Sequence, residues 1–125
     1  MQQRALISVV DDDVSSRESL PDLLQMLEFA SVTFASAEEF LASAVLAQTR
    51  YLILDVSMPG MSGPQLQAEL SRRGLKIPIV FITAHRDPDL RAELLARGAV
   101  ECLFKPFSEE DLRSALDRAV GAQDV

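Results

Sequence analysis

One cysteine, one histidine, one tyrosine and no tryptophan occur among the 125 residues. The lone Cys102 excludes an intrachain disulfide and suits a reducing compartment. His85 has no second histidine and no matching helix beside it, which argues against a metal ligand or a phosphohistidine donor. No secretory leader is visible, because the apolar run at 5–10 is short and meets three aspartates at once. No run approaches the roughly 20 apolar residues that span a membrane. A cytoplasmic chain with no membrane contact is therefore expected. Basic residues are also scarce: 12 Lys and Arg face 19 Asp and Glu, a net charge of −7. A phosphate backbone wants a basic patch, so direct binding of nucleic acid by this chain is not expected. A site that gathers carboxylates around a cation fits the balance better.

Hydrophobic residues make up 48% of the chain, enough to bury a core. Five short apolar runs stand out, at 5–10, 31–34, 51–54, 77–82 and 100–104. ALISVV, YLIL and IPIVFI hardly alternate with polar residues, as in parallel strands buried on both faces. SVTF is polar enough for a sheet edge. Helical patterns fill the gaps. Leu20, Leu23, Leu24 and Leu27 follow helical spacing, with Ser15 and Glu18 as a capping box and Pro21 marking a kink or a second start. Ser36 with Glu39 caps a helix that carries Phe40, Leu41, Ala44 and Val45. Pro64 opens a third helix that Gly74 closes, and Asp87-Pro88 opens a fourth that Gly98 ends. Ser108 with Asp111 starts a fifth. Strand and helix thus alternate five times, which predicts an α/β domain with a parallel sheet and helices on both faces. The expected domain covers residues 1–121, with 122–125 as a tail or the start of a linker.

In such a sheet, sites form where the strands end. The first strand ends in Asp11-Asp12-Asp13, the third in Asp55, the fourth in Thr83 and the fifth in Lys105. All four places lie on one rim. Clustered carboxylates repel one another, and a hard divalent ion with oxygen ligands relieves that repulsion. Magnesium, with manganese as the alternative, is the expected cation. Asp12 and Asp55 are expected as direct ligands, with Asp11 acting through water and the Ser57 backbone carbonyl adding an oxygen. A carboxylate can also be a phosphoryl acceptor, and Asp55, on the central strand, is the best placed. Lys105 would pair with a phosphoryl oxygen and Thr83 would donate its hydroxyl to another. Taken singly, the aspartates read equally as turn residues and caps, Thr83 as a strand former and Lys105 as a solvated charge.

The segments VVDDD at 9–13, LILDVSMPGMSG at 52–63, IVFITAH at 79–85 and LFKPF at 103–107 together resemble the response-regulator receiver domain, CheY-like in fold. The resemblance spans essentially the whole chain. It implies a doubly wound five-stranded sheet in the order 2-1-3-4-5, as in the flavodoxin/CheY-like (βα)5 fold. It implies Asp55 as phosphoacceptor, Asp11 and Asp12 as the acidic pocket, Thr83 as switch hydroxyl and Lys105 as phosphate partner. It also implies a cis peptide at Lys105-Pro106, a histidine kinase or phosphotransfer protein as donor, and output or self-association through the face of helix 4, strand 5 and helix 5. ASAEEFL, LDVSMPGMSG and AHRD most resemble receivers that precede a LuxR-type helix-turn-helix, the FixJ type. The chain is read either as a stand-alone receiver or as the receiver half of a longer regulator.

One position departs from the family pattern. Three residues before the lysine the family usually has an aromatic ring, and here it has Cys102. A small thiol cannot report a threonine movement as a ring does, which puts that coupling in doubt. Ser57 and His85 each stand two residues beyond a site residue, where the family tunes loss of the phosphoryl group.

Three other readings compete. A degenerate receiver would act as a phosphorylation-independent interaction module, against which the intact set Asp11, Asp12, Asp55, Thr83 and Lys105 argues. A haloacid-dehalogenase-type phosphatase would need a second aspartate where Ser57 stands. A flavodoxin-like electron carrier would need a phosphate loop where three aspartates stand, and aromatic clamps this sequence lacks.

Overall fold

The computed structural model describes residues 4–123. Among them, five strands alternate with five α-helices. The strands are β1 (Leu6–Val10), β2 (Ala30–Phe34), β3 (Tyr51–Asp55), β4 (Ile79–Thr83) and β5 (Glu101–Phe104). The helices are α1 (Val14–Met26), α2 (Ala37–Leu41), α3 (Gly63–Arg72), α4 (Pro88–Ala96) and α5 (Glu109–Gln123). Every strand pair is parallel, in the order β2-β1-β3-β4-β5. The parallel sheet is what the alternation of apolar runs and helical patterns predicts, and its doubly wound strand order is the one the receiver resemblance implies.

Burial explains which runs became which strands. β3 and β4 are buried throughout, as continuous apolar runs require, while β2 is only half-buried and lies at an edge. One face of the sheet packs Val10, Leu52, Leu54 and Phe81 against α2, α3 and α4 through Phe40, Leu66, Leu70 and Leu94. The other packs Ile7, Val9, Ile53, Val80 and Ile82 against α1 and α5 through Leu20, Leu24, Leu112 and Leu116. Burying a leucine or isoleucine side chain is worth about 1.5–3 kcal/mol, so these two layers hold the rim residues in place.

Several local expectations are corrected. The cap of α1 is Asp13, whose carboxylate accepts the Ser15 N–H at 3.0 Å, and Ser15 lies inside the helix. The helix runs unbroken past Pro21, with no second start there. The helix opened by Ser36 stops at Leu41. Ala44 and Val45 belong instead to a separate 3₁₀ turn, Ala44–Gln48, capped by the Ser43 hydroxyl. Thr49 then donates its hydroxyl to the Val45 carbonyl and shares a 2.7 Å hydrogen bond with Ser8, which ties the turn to β1. α3 starts one residue before Pro64, under a capping box formed by Ser62 and Gln65. α5 runs on to Gln123, into the stretch read as a tail or the start of a linker, and residues 124 and 125 lie outside the described residues.

Candidate functional site

Four strands deliver their last polar residues to one rim. Asp11 follows β1 and is fully buried, its N–H donating to the Phe34 carbonyl at the end of β2. Asp55 closes β3 and Thr83 closes β4, both buried. Lys105 follows β5, its N–H donating to the Thr83 carbonyl at 2.8 Å. The parallel register therefore brings residues 94 positions apart into contact: Lys105 Nζ lies 2.8 Å from Asp11 Oδ2. The same ammonium stands 3.9 Å from Asp13. The Lys105-Pro106 peptide is cis.

Asp11, Asp12 and Asp55 each present a carboxylate oxygen, and the three oxygens lie within 4.8 Å of one another. The crowding separates the acidities of the two buried members. Burial, then the Asp11 charge and hydrogen bonding with Asp11, push Asp55 up to about 7, against the opposing pull of Lys105. Burial also acts to raise Asp11, but hydrogen bonds from Lys105 and from the Asp13 N–H outweigh it and hold Asp11 below its ordinary value. Asp11 is thus the anchored anion and Asp55 the strained one. Three hard oxygen donors around one point fit a divalent cation, which would relieve the repulsion that raises Asp55.

The loops are fitted to this arrangement. Gly63 sits so close to the end of β3 that a Cβ there would lie 2.4 Å from the Asp55 carbonyl oxygen and 3.0 Å from the Phe81 ring. Its N–H donates to the Val56 carbonyl at 3.0 Å. Gly60, at a φ of 74°, lies against Glu38, whose carboxylate accepts the Met61 N–H at 3.2 Å. The segment carrying Ser57 is therefore pinned from α2 and from α3. Ser57 and Asp12 are exposed at the rim. His85 is exposed too, and its N–H donates to Thr83 Oγ1 at 3.1 Å, leaving the threonine hydroxyl hydrogen free to turn toward the site. Cys102 is buried in the core layer of Phe81 and Leu94, three residues before Lys105, and burial first of all raises its thiol to about 11.

Two neighbours of the site were not foreseen. Arg17, on the first turn of α1, donates from Nη1 to the Asp11 carbonyl at 2.8 Å and so braces the acidic loop. Its position one helical turn beyond Asp13 was the available signal. Glu38 carries no sequence signal beyond its place in α2, because its partner lies 23 residues away.

A doubly wound sheet with an acidic cluster and a lysine at its carboxyl rim is the architecture of a signalling receiver. The family model described as the response regulator receiver domain matches residues 7–117, and this chain belongs to that family. It is 41% identical over 121 residues to nodulation protein W of Bradyrhizobium diazoefficiens, covering 97% of this chain and 52% of that protein. To the transcriptional regulatory protein TdiR of Thauera aromatica it is 40% identical over 114 residues, covering 91% of this chain and 50% of that one. Among solved structures it is similar to the response regulator StyR, with a TM-score of 0.86, 42% identity and coverage of 96% and 61% of the two chains. It is also similar to FixJ-N, with a TM-score of 0.83, 36% identity and coverage of 97% and 96%. The chain spans about half the length of the curated relatives it matches. It is a receiver domain of the two-component type, a signalling rather than a metabolic unit. Such domains interact with histidine kinases or phosphotransfer proteins and bind magnesium at an acidic aspartate cluster. No helix among the described residues is long and apolar enough to cross a membrane.

Proposed function

We propose that Asp55 accepts a phosphoryl group from a phosphohistidine donor, and that the rim responds to the new charge. The observation that carries this reading is the raised, buried Asp55 carboxyl set between two further carboxylates and the Lys105 ammonium. An oxygen of Asp55 forms the new O–P bond as the donor's N–P bond breaks, and the imidazole leaves with its electron pair. A magnesium or manganese ion, when bound, neutralises charge on the transferring oxygens. Asp12 and Asp55 would hold it directly, with the Ser57 carbonyl. Both oxygens of Asp11 are already engaged, by Lys105 and by the Asp13 N–H, which suits an outer role through water.

Lys105 turns from Asp11 to a phosphoryl oxygen, and the Thr83 hydroxyl donates to another. Ser57 and His85, exposed at the edge, govern how readily water reaches the phosphorus. The domain thereby assists only its own phosphorylation and dephosphorylation. Output is a shift between two states of the face formed by α4, β5 and α5, read as self-association or partner binding. The domain works in the cytoplasm and does not itself contact nucleic acid. It acts alone or, as its likeness to about half of the transcriptional regulators TdiR and FixJ supports, as the receiver half of a regulator of transcription.

Intact-protein mass after incubation with a small phosphodonor tests this directly. A single phosphoryl adduct that needs the divalent ion and is absent in Asp55→Asn supports it. No adduct under any condition would leave a phosphorylation-independent interaction module.

A further inference from the structure

β5 is an outer strand of the sheet, with α4 packed on one face and α5 on the other. Open strand edges invite pairing with other chains and are usually blunted. The blunting device here is Glu101, the first residue of β5, whose side chain is only 8% exposed. One carboxylate oxygen, Oε1, accepts Arg91 of α4 at 2.5 Å, and the other, Oε2, accepts Arg118 of α5. Oε1 also accepts the Cys102 N–H at 2.9 Å. Lys105 donates across the ladder to Thr83, and N–H directions alternate along a strand, so the Cys102 N–H faces the open edge. A single carboxylate therefore caps one outward N–H of the edge and joins two helices that lie on opposite faces of the sheet. Beside it lies a recess of about 360 Å³ whose lining includes Arg86, Arg91, Glu101, Cys102 and Asp111.

We propose that Arg91, Glu101 and Arg118 form an ionic clasp that holds α4 and α5 over the edge of β5, and that its opening is what reshapes this face when the site changes state. The regulatory half of the proposal rests on the phosphoacceptor reading above. Geometry links the two places: Glu101 opens β5, and Lys105 follows directly on its last residue, Phe104. A Lys105 that leaves Asp11 for a new anion displaces the end of β5 that Thr83 holds. The clasp is the suitable element to yield, because each arginine loses one partner and regains water, whereas the apolar packing of Leu94 and Leu112 has no such substitute. Arg91 and Arg118 side chains are 39% and 62% exposed, so both have solvent to return to.

Cys102, the sole cysteine, is 2% exposed beneath the clasp and is a native reporter of its state. The experiment measures the rate of Cys102 alkylation by iodoacetamide in the full chain, with and without a small phosphodonor and magnesium. It compares wild type, Arg91→Ala, Arg91→Lys and Glu101→Gln, with intact mass read in parallel. Alkylation at least tenfold faster in Arg91→Ala and Glu101→Gln, with cooperative melting retained and Arg91→Lys close to wild type, is the expected result for the clasp. A rise of several-fold in wild type on phosphorylation is expected for its regulation. Unchanged alkylation in both disruptive variants would overturn the clasp. An adduct seen by mass without faster alkylation would overturn its regulation and leave the clasp a fixed brace. Absence of any adduct would remove the phosphoacceptor reading, and the regulation with it, while the variants still decide the clasp. If Arg91→Ala and Glu101→Gln lose cooperative melting, amide exchange at Cys102 in Arg91→Lys and wild type decides: protection equal to that of the buried β4 amides supports the clasp, and exchange at the rate of a free edge amide overturns it.

Discussion

Lys105 Nζ and Asp11 Oδ2 meet at 2.8 Å across 94 residues of sequence, joining the end of β5 to the end of β1 across two intervening strands. Asp11 is fully buried and Lys105 only 19% exposed, so this pair is screened little by water. Removing the lysine leaves a buried anion without its cation. Lys105→Ala is expected to destabilise the metal-free protein by about 2–3 kcal/mol in urea unfolding. Adding Asp11→Asn to it should restore most of that loss, since the anion that needed the cation is gone. A double variant as unstable as the single one would show that the lysine acts through packing of its stem.

Asp55 behaves in the opposite way, because its neighbours repel its charge. Asp55→Asn keeps the shape and removes the repulsion. In chelator at pH 7.5 the variant should unfold about 1–3 kcal/mol later than wild type, while losing all phosphoryl labelling. Equal or lower stability of the variant would mean that the three carboxylates do not strain one another.

The same two groups set the pH profile. Asp55 is raised from 3.8 to about 7 in the folded protein, so between those values the folded state binds more protons than the unfolded one. Metal-free stability should therefore fall as pH rises from about 4 through about 7. Asp11 is lowered from 3.8, and its contribution, present above that value, should be lost as pH falls below it. Urea midpoints in chelator should thus peak on the acid side of neutrality, and magnesium should flatten the fall toward pH 7.5. A metal-free profile that rises from pH 5 to 7.5 would contradict the raised Asp55.

Gly60 in the loop after β3 and Gly63 at the start of α3 should respond differently to the same methyl group. At Gly63 the added Cβ would press on backbone, 2.4 Å from the Asp55 carbonyl oxygen, and neither β3 nor α3 can yield cheaply. Gly63→Ala should cost about 2–3 kcal/mol and weaken magnesium binding at least tenfold by calorimetric titration. At Gly60 the nearest obstacle is the far end of the Glu38 side chain, which can swing away, leaving the positive φ as the main penalty. Gly60→Ala should cost about 1–2 kcal/mol, with little change in metal affinity.

The rim was legible in the sequence because topology alone dictates it. Once five apolar runs are read as parallel strands, whatever follows Val10, Leu54, Ile82 and Phe104 must share one edge, and those followers are polar. The caps were legible only where the motif was complete, as at Ser36, Asp87 and Ser108. At α1 the Ser15–Glu18 pattern was outcompeted by Asp13, whose carboxylate reaches the Ser15 N–H one residue earlier in the turn. At α3 the start is marked twice, by Pro64 in the first turn and by the Ser62–Gln65 capping box, and the proline is the more conspicuous of the two signals. The clasp was not legible at all. An arginine on a helix surface looks the same whether it ends in water or folds over a strand edge, and Glu101 stands inside the apolar run at 100–104 with nothing to mark its partners. Partners that lie 10 and 17 residues away on different faces of a sheet have no periodicity to betray them.

The order of assembly follows from the rim. Asp11 is made early and Lys105 late, with Asp55 and Thr83 between, and no fragment lacking the fifth strand can close the site. At about 5–20 residues per second, a ribosome needs roughly 5–20 s to pass from the first residue to the lysine. From Asp11 onward, and more so once Asp55 is added, the growing chain carries its aspartates without the lysine. The acidic pocket thus gains its cation only when synthesis is nearly finished, and α5 must still follow to cover the second face of the sheet.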